Sequence, residues 1–449
     1  MIRKTVRWLD QRSGTAPFLR KSLRYLFPDH WSFLLGEIAL YAFVVLVATG
    51  IYLTLFFVDS SSQTVYRGPY APLHGQRMSE AYESVVNIST TVKAGLLIRQ
   101  THHWAADVFA GAIILHLFRV FFTGAYRKPR ELTYIIGITI LALTLFEAYI
   151  GYSMVDDLLS GMGLAIGWSV GMAIPFVGAN LMSVLFEGAF PGGQSLWPRM
   201  YIVHVFILPV LIGTLLVAHL TLVALRHHTQ FKGKRETERR IVGMPAWPAQ
   251  VPRSVALAFA TVGVLFLLGG LVQINPIWLW GPYHTYLSTN GAQPDWYLGW
   301  LIGALRMVPS FDITIDGYTL VPNPFWGGIA FPTLVIGFVY LWPWLERRIN
   351  GDDAFHNVLD RPRDAPLRTA LGVGAATTVG VTLLAGSADR ADDLFGLSYN
   401  GQLWFYRVAF FVLPVLFGVI AYRLCNALVA GERVEADRKR AEEEARATR

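Results

Sequence analysis

An all-α bundle of eight transmembrane helices is the fold this sequence predicts, on three observations. Of 449 residues, 53% are hydrophobic and 14% aromatic while only 15% are charged, a balance too apolar for a string of soluble domains. Runs of about twenty apolar residues, the length that crosses a bilayer core of roughly 30 Å, recur along the chain. Lys and Arg gather in alternate connections between those runs, as the positive-inside rule requires of a multi-pass protein.

The chain opens with a segment, 1–32, that carries Arg3, Lys4, Arg7, Arg12, Arg20, Lys21 and Arg24 but lacks the charged cap, apolar core and small-residue cleavage site of a signal peptide. It is expected to stay in the cytoplasm. Spans follow near 33–57, 100–122, 133–155 and 199–225, then near 254–274, 326–345, 366–386 and 402–424. One further apolar stretch, 158–186, is long enough to cross, but five glycines and Pro175 interrupt it, which predicts two short helices lying at the membrane surface. Charge agrees. With eight spans, Arg127, Lys128 and Arg130, the seven Lys/Arg from Arg226 to Arg253, and the basic residues from Arg347 to Arg368 all fall on the cytoplasmic side. The opposite connections hold Arg199 alone between 156 and 199 and Arg306 alone between 275 and 325. "Inner" and "outer" name the two ends under this assignment. The expected organisation is 1–32, a four-helix part at 33–226, a basic loop at 227–253, a second four-helix part at 254–430 and a charged, solvated or partly helical tail at 431–449, with both termini cytoplasmic.

Ionisable residues inside spans are costly and mark function. The second span holds His102, His103 and His116; the fourth holds His204 and His219. At 3.6 residues per turn, the fourteen positions from His102 to His116 return to within about 40° of one face, about 21 Å further along the axis. The thirteen positions from His103 fall about 140° short of four turns, so His103 faces elsewhere. The fifteen from His204 to His219 run about 60° past four turns, which a distortion at Pro209 would absorb. The second and fourth spans run the same way, so His102 faces His204 at the outer level and His116 faces His219 at the inner level. Two pairs so far apart do not make a zinc site, which gathers three or four ligands together. Two b-type haems, each with two axial imidazoles, want this arrangement inside a four-helix core.

A flat macrocycle between helices needs neighbours without side chains at its level. Gly36 and Gly50 in the first span, and Gly137 and Gly151 in the third, repeat the fourteen-residue interval. Arg99 and Arg119 lie three residues outside His102 and His116, where haem propionates would need cations.

Taken with "QPDWY" at 293–297, "ALRMVP" at 304–309 and "GDDAFHNVLDRPRDAPLRT" at 351–369, these residues make nearly the whole chain resemble cytochrome b of the quinol:cytochrome c reductase (bc1) complexes, in their actinobacterial branch. The resemblance implies that Pro294, Asp295, Trp296 and Tyr297 form the motif of an outer quinol-oxidising site, with Asp295 as proton acceptor where relatives usually carry Glu. It implies a pocket wall of Tyr152, Met154 and Val155, the last two standing where relatives have Leu-Pro. The inner quinone site is less defined: Ala224 replaces a histidine common in relatives, leaving Asp29, His30, Ser32, His227 and His228 as candidates. The implied function is bifurcated electron transfer in a bacterial cell membrane: one quinol electron to a Rieske iron–sulfur subunit, the other through both haems to the inner quinone. The quinone implied is menaquinone. Implied partners are that Rieske subunit, a diheme cytochrome c subunit, a cytochrome c oxidase in a supercomplex, a second copy in a homodimeric complex, and lipid. Cys425 is the single cysteine, so a c-type haem or an iron–sulfur cluster must sit on other chains. Two other classes share part of the pattern. A diheme b-type anchor of a quinone-linked dehydrogenase would share the histidines without needing PDWY, and a transporter with intramembrane histidines would bind no haem.

Overall fold

The computed structural model describes residues 2–233, 235–289 and 293–447; position 234 of the basic loop, 290–292 just before QPDWY and the last two tail residues lie outside them. Among the described residues, eight helices are long and apolar enough to cross a membrane: Trp31–Thr54, Gly95–Phe122, Glu131–Ser153, Leu196–Arg226, Ala246–Leu271, Trp326–Asn350, Pro366–Gly386 and Tyr399–Ala447. Their lengths follow the apolar runs, and their outward faces keep large side chains such as Ile51, Val217, Phe259, Leu334 and Phe411 exposed. That is the surface a lipid solvent accepts.

The first and second spans pack together, the third packs on the fourth, and the fifth leans on the second and first. The seventh and eighth pair most extensively. A short helix in the connection between the fifth and sixth spans, Trp296–Met307, lies against the seventh span, where Gly303 meets the Thr382 carbonyl so closely that no side chain would fit. The 158–186 region forms two helices, Leu158–Met172 and Gly178–Phe186, separated at Pro175. The eighth helix runs past its apolar part without a break to Ala447, so the described tail is helical. Exposed pairs at i,i+4, Lys439 with Glu435 at 2.7 Å and Arg438 with Glu442 at 3.6 Å, line its polar end.

The fourth span answers the fifteen-residue question. Between Leu196–Ile202 and Leu208–Arg226 it makes a π turn, Val203–Ile207, which contains His204 and precedes Pro209. A π turn takes up one extra residue, so fifteen positions in sequence act as about fourteen in rotation.

Candidate functional site

Two cavities lie one above the other within the first four spans. The outer, of about 270 Å³, is lined by Gly50, His102, Gly151 and His204; the inner, of about 460 Å³, by Gly36, His116, Gly137 and His219. Each glycine faces its own histidine: a Cβ would lie 3.4 Å from the His116 ring at Gly36, 3.3 Å from His102 at Gly50 and 3.4 Å from His219 at Gly137, and would overlap the His204 ring at Gly151. The His102 and His204 ring centroids are 6.4 Å apart.

Three of the four histidines have Nδ1 engaged away from the cavity. Thr49 Oγ1 donates to the Val45 carbonyl at 2.6 Å and so accepts from His102 Nδ1 at 2.9 Å. His219 Nδ1 donates to the Thr133 carbonyl at 3.0 Å, and His204 Nδ1 to the Glu147 carbonyl at 3.2 Å, with the Glu147 carboxylate Oε1 at 3.0 Å. A carbonyl can only accept, which fixes the proton on Nδ1 and leaves Nε2 with its lone pair. Arg99 reaches Ser89 and Asn275 but keeps Nη2 buried without a partner among the described residues; Arg119 keeps Nε and Nη2 so, its guanidinium 4.1 Å over the Phe33 ring.

The outer cavity is also walled by Tyr152, Met154, Val155, Asp295, Tyr297 and His103. Asp295 spends both oxygens: Oδ1 accepts from His103 Nε2 at 2.6 Å and Oδ2 from the Tyr297 hydroxyl at 2.7 Å. Burial pushes this carboxyl up, but the His103 imidazole and its hydrogen bond outweigh burial and hold it below the usual carboxylate range. Asp107, one turn from His103, brings an oxygen within 4.8 Å of both, and its Oδ1 is buried with no partner among the described residues. Sequence periodicity turned His103 away from its neighbour's face without showing what it met. Pro294 and Trp296 are not part of the cavity wall: Trp296 begins the helix, a rotation of about 100° from Tyr297, and its ring lies near Gly111, about half exposed. Directly after Val155 in the chain, Asp156 and Asp157 are pushed by burial up to about 7 and about 6, and Asp157 caps the helix Leu158–Met172 by accepting from Ser160 N at 3.1 Å.

At the inner cavity, Asp29, His30, His227 and His228 line the wall; Ser32 does not, and instead bonds His30 Nδ1 at 2.8 Å. Residues the sequence did not single out support it: Arg130 lines the wall, and Tyr25, outside the wall, packs on two of its histidines. Tyr25 stacks on His227 at 4.9 Å and its hydroxyl lies 3.3 Å from His228 Nδ1. Arg130 Nη2 ties down the Arg226 and His227 carbonyls at 2.9 and 3.0 Å where His227 takes a left-handed φ of 61°. Burial, then Arg119 and Arg130, push His228 down to about 4. Asp29 pairs with exposed Arg253 at 3.2 Å.

Comparison with known proteins decides the family. Residues 107–282 match the family model described as Cytochrome b(N-terminal)/b6/petB. A cytochrome bc1 complex cytochrome b subunit of Streptomyces coelicolor is 44% identical over 421 residues, 94% of this chain and 77% of that protein. The subunit of the same name from Mycobacterium tuberculosis is 46% identical over 426 residues, 95% and 77% of the two chains. The chain belongs to the cytochrome b subunits of the cytochrome bc1 complex. A solved structure titled "Hyperthermophilic respiratory Complex III" shares the fold, with a TM-score of 0.69 at 19% identity over 93% of this chain and 99% of that one. Membership brings b-type haems, quinone binding and Rieske and cytochrome c partners in general terms. It sets aside the dehydrogenase anchor and the transporter.

Proposed function

We propose that the outer cavity oxidises quinol and the inner cavity reduces quinone, with one b-type haem held in each by its histidine pair. The observation that carries this is the stacking, in one four-helix bundle, of two cavities that each join a histidine pair, a glycine pair and an arginine with at least one nitrogen unpartnered among the described residues, the outer one also walled by Asp295. The residues fit the group: His102 and His204, and His219 at the inner level, have Nε2 free to hold a haem iron, and Arg99 and Arg119 would have donors to spare for its propionates. When bound, the haems supply one-electron carriers at two depths, so that charge crosses the membrane.

The chain's own residues handle the protons. Asp295, ionised through neutral pH, accepts one from quinol, and the His103 imidazole and Tyr297 hydroxyl hold the carboxylate at the cavity wall. Tyr152, Met154 and Val155 shape the pocket and exclude water. At the other end, His228 is neutral at physiological pH and, with His227 and His30, offers ring N–H donors to a quinone carbonyl, while Tyr25 holds His228 from behind and Asp29 adds an acceptor at the cavity mouth. The actinobacterial kinship of the chain supports menaquinone as the quinone, a diheme cytochrome c subunit, an oxidase supercomplex and a homodimeric complex as the setting, and a bacterial cell membrane with both termini inside. The test is a pyridine haemochrome assay with quinol:cytochrome c turnover on the purified complex. Two b haems per copy of this chain are expected in the complex, and this chain purified alone should show b haem and no c haem; one b haem per chain or none would end the reading.

A further inference from the structure

The four axial histidines hand their Nδ1 atoms to unlike partners. His102 meets a threonine hydroxyl, His219 a backbone carbonyl, and His116 Nδ1 is buried with no partner among the described residues. His204 alone lies against a carboxylate: Glu147 Oε1 is 3.0 Å from its Nδ1, and Glu147 Oε2 is buried without a partner among the described residues. Glu147 stands in the third span, one turn before Gly151, and both its side chain and that of His204 are 18% exposed. An acidic residue in the apolar interior is expensive. Orientation of the ring does not explain it, because the backbone carbonyl of the same residue already accepts the Nδ1 proton at 3.2 Å. What the side chain adds, when ionised, is negative charge beside one imidazole, where the low dielectric screens little. Charge there raises the basicity of an axial ligand and favours the oxidised, more positive iron.

We propose that Glu147 is a positioning residue that acts through His204 to set the outer haem at a lower reduction potential than the inner one. That is the direction an electron moving inward requires. The inference rests on the reading of the two cavities as haem sites.

Redox titration of the purified complex tests it. In Glu147→Gln the outer haem's midpoint should move positive, toward that of the inner haem, while the inner midpoint and the pyridine haemochrome stay as in wild type. Glu147→Asp, which keeps the charge, should stay nearer wild type. An unmoved outer midpoint, equal shifts of both haems, or equal shifts for Gln and Asp would overturn the assignment. Should Gln lose the outer haem, near-infrared magnetic circular dichroism of the oxidised wild-type complex decides: the charge-transfer band of the outer haem should lie at higher energy than that of the inner, and coincident bands overturn the proposal. A wild-type chain without two b haems sinks this inference and the proposed function together, whereas an unmoved outer midpoint with both haems bound sinks the inference alone.

Discussion

Asp295 is one methylene shorter than the glutamate usual in its family, and the structure shows what occupies the reach it gives up: His103 Nε2 at 2.6 Å and the Tyr297 hydroxyl at 2.7 Å. Asp295→Asn removes the acceptor with little change of volume, so quinol:cytochrome c turnover should fall by roughly 10²-fold or more at unchanged haem content. Wild-type turnover across the pH range would make Asp295 a turn residue. Asp295→Glu should lie between, since the longer side chain drives its carboxylate past both partners. The pH profile separates the role of His103. Burial raises the Asp295 carboxyl and His103 lowers it, with a net shift downward. The wild-type acid limb therefore lies below the ordinary carboxylate range. His103→Leu leaves burial opposed by the Tyr297 hydrogen bond alone, so the limb should move to higher pH while both b haems remain; a haem lost from that variant would mean the register is wrong. The sequence reached His102 and His116 by rotation, and rotation also turned His103 aside. It could not reach the partner, because Asp295 is 192 positions away and no period connects them. Glu147 carried the visible signal of an ionisable residue within a span, but the histidine and glycine intervals do not include it.

Helix rotation carries most of the site, because it needs only residue spacing. The fourteen-residue intervals in the first, second and third spans place each glycine against a histidine. The fourth span broke the arithmetic, and what absorbs the mismatch is the π turn Val203–Ile207, a backbone choice that Pro209 marks without specifying. The glycines are not equivalent. A Cβ at Gly151 overlaps the His204 ring, whereas one at Gly36 meets the His116 ring at 3.4 Å, an ordinary contact. Gly151→Ala should therefore displace His204 and disturb or remove the outer haem, leaving the inner haem's spectrum intact. Gly36→Ala should be far milder. Optical and electron paramagnetic resonance spectra of the two variants check this, and equal damage from both would show that the overlap does not govern the outer site. Substituting an inner ligand instead, as His116→Leu or His219→Leu, should remove only the inner haem and block quinone reduction at that end. Motif residues were less legible than intervals: PDWY is contiguous in sequence, but the helix that begins at Trp296 sends Trp296 and Tyr297 to different surroundings.

Topology is a property of the whole chain, and the connections tie each end together. At the basic end, Lys128 meets Asp353 at 3.1 Å, Arg127 meets Asp360 at 3.1 Å, and Arg130 donates to the His356 carbonyl at 2.6 Å; Leu26–Phe27 pairs with Met244–Pro245, and Gln230–Phe231 with Val358–Leu359. At the other end, the Tyr82 hydroxyl donates to the Ile277 carbonyl at 3.0 Å, and a bridge joins Asp157 to Pro282. The basic connections at 127–130, 226–253 and 347–368 are thus at one end, together with the N-terminal segment. Had 158–186 been a span, the loop from Arg226 to Arg253 would have been carried to the face opposite Arg127–Arg130, whereas Arg130 bonds the Arg226 and His227 carbonyls directly. The positive-inside rule is the basis for the proposal that this end, with both termini, is cytoplasmic. Cys425 is buried and is the single cysteine, so a Cys425→Ser background is free of thiols, and single cysteines can report on sidedness. Ser62→Cys, at an exposed site between the first and second spans, should react with a membrane-impermeant maleimide in sealed spheroplasts. Arg440→Cys, exposed on the tail helix, should react only after the membrane is opened. The reverse pattern would invert the molecule: the Asp295 cavity would then draw on cytoplasmic protons, and the direction of charge movement proposed above would fail with it.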